Sequence, residues 1–311
     1  MRAPCTVSSR YADPGPGRQR GAAIILALLS VALAASLAAA ALADFGHAYD
    51  VHAGRSEQAQ SRQFALAALD WARNTLAQDQ RRSASDHLGE AWAIRIPPTP
   101  IEEEQAAGVV GGHITDLSGR INLNALHPSN RNRANARTQC ERLFALVLDD
   151  PGLAASLVLA LEARLAPASA SGTAATATPR LQSLDTLRGL PGFSPAILEA
   201  LAPHIAALPA IHPINANTAT AEVLAAVIDG LDLDRARILM VERQQIWFRN
   251  IDDLRARLGP EIPLHSQDLL GVRSRYFRVD IHASYGEAVT RLYALLDREQ
   301  AWPTLLWYRY E

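Results

Sequence analysis

The sequence predicts an α+β protein: a long N-terminal helix packed on a small antiparallel sheet, with a large all-helical domain inserted into that sheet. Three observations carry this prediction. Ala22 to Ala43 form 22 consecutive positions without a charge. Apolar side chains then recur at helical spacing from Phe64 to Leu76, the mark of a helix with one buried face. Alternating, strand-like segments lie both before and after a long block of helical periodicity. Strands on both sides of helices suggest an insertion rather than two domains in tandem.

Composition narrows the function classes. The chain has 311 residues, 49% apolar and 20% charged, which is ordinary for a folded protein. A formal net charge of -2 argues against a general polyanion binder. All 30 basic residues are Arg, and no Lys occurs; this reads as a bias of the source genome. The two cysteines, Cys5 and Cys140, make neither a disulfide framework nor a Cys-based metal site. Removal of a leader would leave Cys140 alone.

The apolar run spans roughly 33 Å as a helix, close to the ~30 Å of a bilayer core. Ser30 and Ser36 are its only polar side chains. Arg18 and Arg20 precede it and Asp44 follows, so the positive-inside rule keeps the N-terminus cytoplasmic and exports the rest. Three readings compete. Ala41-Leu42-Ala43 fits the cleavage site of a secretory signal peptide, although the apolar run is long for one. A plain signal anchor is the second. The third, favoured here, is a prepilin-type leader of residues 1–21, cut between Gly21 and Ala22 on the cytoplasmic side. It needs a small residue before the scissile bond, a basic patch (Arg18, Arg20), and an apolar helix beginning at once. Residues 22–43 then cross the membrane, and residues 44–80 continue as an amphipathic helix. Arg62, Phe64, Leu66, Leu69, Trp71 and Leu76 on this continuation are the candidate contacts with other subunits.

Residues 81–124 together with 270–311 are expected to form the sheet domain. Ala91 to Ile96 alternates like a strand ending at Pro97-Pro98, and Glu102 to Glu104 reads as a solvated loop. Gly111 to Asn124 reads as two short strands around an Asp-Leu-Ser-Gly turn. Residues 125–269 are expected to be helical: 137–149, 153–165, a pair within 181–208 broken at Gly189-Leu190-Pro191-Gly192, then 218–229, 234–246 and 251–258. Pro167 to Pro179 is a Ser/Ala/Thr/Gly loop. Tyr276–Ala283, Ala288–Arg298 and Thr304–Tyr310 alternate again as strands.

Taken in order, these blocks resemble a known family, the type II secretion minor pseudopilin called general secretion pathway protein K. The resemblance runs through the Gly21–Ala22 junction and the Asp116-Leu117-Ser118-Gly119-Arg120-Ile121-Asn122-Leu123-Asn124 segment. It continues through Leu184 to Gly192 and Ile214-Asn215-Ala216-Asn217-Thr218-Ala219, and ends with the sheet from Tyr276-Phe277. It implies a pilin-like fold and a role at the pseudopilus tip with the I- and J-type minor pseudopilins. It also implies dealings with a prepilin peptidase, the inner-membrane assembly platform and membrane lipid. The protein would be single-pass in the inner membrane, with its C-terminal domain periplasmic. Most pilins carry Glu at the fifth residue after the cut, where this chain has Leu26; the lack of Glu is typical of the K-type subunit. The family further implies calcium held by an acidic loop in the helical domain. Here Ala166 to Pro179 contains no carboxylate, and the nearest acids are Glu162 and Asp185. Calcium takes six to eight oxygens, so no cofactor or metal is expected.

Two segments also resemble helix-hairpin-helix DNA-binding modules, Leu187 to Phe193 and Ile214 to Ala219 with Trp247-Phe248. Such hairpins offer backbone N–H groups to a phosphate. The second hairpin instead carries Asp229, Asp232 and Asp234, the wrong sign for DNA, so packing is the expected role and nucleic acid is not an expected partner. The nine histidines are scattered, Ser118 lies in no nucleophile elbow, and no nucleophile–base–oxyanion set can be assembled. An enzyme is not expected.

Overall fold

A computed structural model describes residues 19–103, 106–166, 180–264 and 270–311. Arg18, Cys5, Glu104 and the Pro167–Pro179 loop lie outside them. The chain divides into two units, the first ending at Glu57 and the second starting at Gln58. Helix α1 (Gln19–Arg82) supplies residues to both.

In the first unit every side chain from Gly21 to Val51 is exposed. Over the apolar run this helix is long and apolar enough to cross a membrane. Its two hydroxyls are satisfied locally: Ser30 Oγ donates to the Leu26 carbonyl at 2.7 Å and Ser36 Oγ to that of Leu33 at 2.8 Å. That is the arrangement a membrane demands, where no water can take an unpaired hydroxyl.

The second unit is built on a five-stranded antiparallel sheet in the order β1-β2-β7-β8-β9. Its strands are β1 (Ile96–Glu103), β2 (Ala106–Asp116), β7 (Tyr276–Tyr285), β8 (Ala288–Asp297) and β9 (Thr304–Tyr310). β7 and β8 pair from Tyr276↔Asp297 to Tyr285↔Ala288. The two-residue turn between them holds Gly286 at φ 57°, a conformation that a Cβ would penalise. One sheet face receives α1: Ala65, Leu69, Ala72 and Leu76 pack with Ile114, Phe277, Val279, Ile281 and Leu292.

Between β2 and β7 the chain leaves the sheet and forms the helical module. It comprises α2 (Arg133–Leu148), α3 (Pro151–Leu165), α4 (Pro195–Leu201), α5 (Ala221–Val227), α6 (Leu233–Gln245) and α7 (Ile251–Leu258). Two short parallel pairs stitch it together, β3 (Ile121–Asn122) with β4 (Ile205–Ala206), and β5 (Ile214–Asn215) with β6 (Leu270–Gly271). Side-chain caps start the helices: Asp150 for α3, Ser194 for α4, Thr220 for α5, Asp232 for α6 and Asn250 for α7. The core contains Leu143, Phe144, Leu157, Leu161, Val223 and Leu224. Cys140 lies buried in this core and free, its thiol pushed up to about 12 by burial.

Several expectations from the sequence need correction. Ala91–Ile96 is not a strand: Ala91–Ala93 is a 3-10 turn that buries Trp92, and β1 starts where the strand was expected to stop. β1 carries Pro97, Pro98 and Pro100 because it is an edge strand, and its register shifts between Ile96 and Thr99. Glu102 and Glu103 belong to this strand and not to a loop. The segments flanking Asp-Leu-Ser-Gly do not pair with each other, since β2 ends in the main sheet and β3 pairs with β4. The first helix of the pair within 181–208 is a 3-10 turn over Leu184–Gly189. The Leu190-Pro191-Gly192 sequence, with Gly192 at φ 87°, keeps it from running on.

Candidate assembly interface and the joint behind it

The six candidate contact residues of α1 separate into two groups. Leu69 is 2% and Leu76 0% exposed, and both fill the contact with the chain's own sheet. They are therefore corrected from partner contacts to core residues. Sequence periodicity alone cannot tell which sheet a helix stripe covers. Phe64 is partly buried against the same core and meets Tyr285 edge-on at 5.7 Å. Arg62 sits over the Tyr310 ring at 5.3 Å. Leu66, 38% exposed, and Trp71, 49% exposed, remain for a partner. Beside Trp71 an apolar hollow is lined by Ala68, Ile94, Ile96 and Val110 and floored by Gly111 and Gly112.

Gly21, Ala22 and Leu26 all lie exposed on α1, Leu26 at 62%. Arg20 is within the helical span. These residues are neighbours in sequence and no pocket brings them together; any role they have is read by another protein or by lipid.

The Asp116–Asn124 and Ile214–Ala219 segments, by contrast, meet. Gly119 packs so closely on Thr218 that an added Cβ would lie 2.5 Å from Thr218 Oγ1. Asn215 N–H donates to the Ser118 carbonyl at 3.0 Å. Asp116 accepts from Ser118 N–H at 2.7 Å, from Ser274 Oγ at 2.6 Å and from the Thr218 hydroxyl. Asn215 Nδ2 donates to Ser274 Oγ at 2.6 Å and to the Asp86 carbonyl at 3.0 Å. Burial pushes the Asp116 carboxyl upward, and its three hydrogen bonds pull it back.

Three further asparagines act as surrogate peptide groups. Asn122 donates to the Leu208 carbonyl and accepts from Leu208 N–H. Asn124 does the same with Leu181, and Asn217 with Phe248. Each pins a module loop that has no strand partner of its own. Ser118 Oγ accepts from the N–H groups of Arg275 and Tyr276 at the start of β7. The Leu-Ser-Gly turn is thus a splice between sheet and module.

Sequence reasoning missed the ionic half of this joint. Arg298, 3% exposed, donates to Asp79 at the end of α1 at 2.9 Å and to Asp86, and lies 4.6 Å over the Phe277 ring. Asp86 Oδ2 accepts from Ser274 N–H at 2.6 Å. Glu90 accepts from Trp92 Nε1 at 2.7 Å and from His87 N–H at 3.0 Å. Burial, with the Glu90 and Asp86 carboxylates, pushes Asp79 up to about 7 against the pull of Arg298. The sequence carried no signal for it: an Arg after a strand is ordinary, and its partners Asp79 and Asp86 lie more than 200 residues away.

Among the described residues Asp79, Asp86 and Glu90 approach within 4.8 Å of one another, with Asp79 Oδ2 and Asp86 Oδ1 engaged by Arg298 and Glu90 Oε2 by Trp92. Glu162 is bound by Arg133 at 2.9 Å and Arg137 at 3.3 Å, and Asp185 by Arg309 at 3.0 Å. In the second hairpin Asp229 pairs with Arg142, and Asp232 caps α6.

Comparison with known proteins fits this geometry. Family models described as type II secretion system (T2SS), protein K match residues 119–210 and 214–271. Type II secretion system protein K of Pseudomonas aeruginosa is 28% identical over 305 residues, covering 90% of this chain and 89% of that protein. The protein of the same description from Pectobacterium carotovorum is 25% identical, covering 87% and 90%. A chain of the crystallised GspK-GspI-GspJ complex from the enterotoxigenic Escherichia coli type 2 secretion system superposes with a TM-score of 0.67 at 20% identity. It spans 83% of this chain and 98% of its own length, and it shows the fold. The family models cover the module and part of the splice, Gly119–Asn124 and Ile214–Ala219, and the chain is similar over most of its length to protein K of type II secretion systems.

Proposed function

We propose that this chain is the minor pseudopilin that caps or initiates the pseudopilus tip with I- and J-type subunits, supporting export of folded proteins across the outer membrane. The observation that carries the reading is the likeness to type II secretion system protein K along 90% of the chain, joined to an α1 whose apolar run is wholly exposed. In this reading a prepilin peptidase cuts between Gly21 and Ala22. Residues 22–43 hold the subunit in the inner membrane, N-terminus inside, until the assembly platform extracts it. The sheet and module lie in the periplasm.

Leu26 supports a place at the tip. A subunit that docks below an earlier one needs a carboxylate in lipid to meet its neighbour's amine, and an unpaired charge there costs several kcal/mol. This chain offers none between Ala22 and Ala43. A module with six helices among its described residues, set beside the sheet domain, is also awkward to stack within a close-packed fibre.

Leu66 and Trp71 are the proposed anchors for the neighbouring subunit, since apolar area and an exposed Trp are what such contacts use. Co-expression with the I- and J-type subunits tests this. The three are expected to co-purify, and replacing Leu66 and Trp71 by Ala is expected to weaken the complex. Three folded proteins that never associate would sink the reading.

A further inference from the structure

The sheet face opposite α1 changes chemistry along its length. Near one end Tyr276 and Leu295 are buried with Leu117, Ala206 and Leu208, where the module covers them. Along the same strands and the same face, the next positions are Arg278, Asp280 and His282 on β7 and Arg291 and Tyr293 on β8. These line an open groove of about 600 Å³, walled on its far side by Arg95, Pro97 and Pro98.

The groove is cationic. Asp280 is its one acidic lining residue, and it is already engaged by Arg278 at 3.0 Å and His113 at 3.4 Å. Arg95 and Arg291 are exposed, and neither has an ion-pair partner among the described residues. Glu311 lies close enough to interact with Tyr293 at the rim, and Arg309 lies 5.5 Å over the Tyr293 ring. His113 is held below its ordinary value by burial, with Arg95, Arg278 and His282 adding to the effect against Asp280.

In a protein of net charge -2, so lopsided a groove on a half-covered sheet face is unusual. The uncovered stretch is mixed, with Val289 exposed on it among the charged side chains, and so differs from the wholly apolar face that an interface left bare by a missing module would show. It presents guanidinium groups that can take carboxylates in pairs, beside the apolar sides of Tyr293 and Val289. The concave shape favours a chain lying in it over a flat surface laid against it.

We infer that the groove between β1 and the open face of β7 and β8 binds an extended acidic segment of a partner protein, with Arg95 and Arg291 taking its carboxylates. Arg95 and Arg291 are not among the residues that line the hollow beside Trp71, although the groove and that hollow share lining residues, Ile96, Gly112 and His113 among them, so the two contacts can be tested by separate substitutions.

The test uses the full chain in neutral detergent micelles and a rhodamine-labelled hexaglutamate peptide, read by fluorescence anisotropy. Hexaglutamate is expected to bind and hexalysine not. Affinity should fall steeply between about 50 and 200 mM salt, as charge-driven binding does. Replacing both exposed cations (R95Q with R291Q) is expected to weaken binding by about tenfold or more while the thermal midpoint holds. Equal binding of the two peptides, or binding untouched by the double substitution, would overturn the inference. Displacement of the peptide by inorganic phosphate at equal charge concentration would also overturn it, by showing a simple anion site.

Discussion

Helix α1 contains two stretches with opposite solutions to the same problem. Ala22 to Ala43 buries nothing and carries leucines, isoleucines and alanines on every side. Gln58 to Arg82 buries one stripe, Ser61, Ala65, Leu69, Ala72, Leu76 and Ala77, and leaves mostly polar residues, with Leu66 and Trp71 among them, on the others. One stretch is helical because lipid forbids an unpaired peptide group. The other is helical and fixed in place because a sheet accepts its stripe and Arg298 binds its end. Apolar side chains therefore mean different things along one helix, and exposure tells them apart.

The largest effect should come from breaking the buried ionic joint. Replacing Arg298 by Met leaves Asp79 and Asp86 without their cation and should cost about 3–5 kcal/mol. Denaturant unfolding of the domain reads this directly. Replacing Leu33 by Arg puts a charge in the first stretch. It should cost about 2.5–3.5 kcal/mol of insertion, seen as loss from the membrane fraction, with the domain's unfolding midpoint unchanged. If Leu33→Arg destabilised the domain instead, the contrast between the two stretches would fail.

Smaller effects sharpen the same contrast. Asn217→Ala removes a surrogate peptide group from Phe248 and should cost about 1–3 kcal/mol, because a buried N–H and carbonyl lose their partner. Asp79 predicts a pH dependence. Its carboxyl, at about 7 when folded against 3.8 in the unfolded chain, keeps a proton that the unfolded chain has released. The group's contribution to stability should therefore fall as pH rises from about 4 to about 7. Asp79→Asn should flatten that slope. Trp71→Ala, on the outer side of the helix, should change stability by less than about 0.5 kcal/mol and be noticed only in binding to other subunits. Chelation with EDTA is expected to leave the unfolding midpoint where it was, since the acids nearest the Pro167–Pro179 loop are already ion-paired.

Much of this arrangement was legible in the sequence, for reasons that can be named. The apolar run shows itself by length and the absence of charge, and β7, β8 and β9 by alternation between clear turns. The insertion was readable because the periodicity changes twice. Other features could not be read. β1 hides behind three prolines because edge position, which permits them, is a property of the whole sheet. Leu69 and Leu76 looked like contact residues because a stripe does not name its partner. The joint joins Asp79, Asp86, Asp116, Asn215, Ser274 and Arg298 from five separate stretches of chain, and no local pattern connects them. Two of the segments quoted for the family resemblance, Asp116–Asn124 and Ile214–Ala219, fall at this joint, which gives the Asp-Leu-Ser-Gly and Asn-Ala-Asn sequences a structural meaning.

The contrast rests on the lipid-facing stretch remaining part of the working protein. Intact mass of the protein purified from membranes decides that most directly. The account predicts a mature chain that begins at Ala22 and keeps the whole apolar helix. A mature chain beginning at Asp44 would contradict it, because the apolar run would then have been a discarded signal peptide.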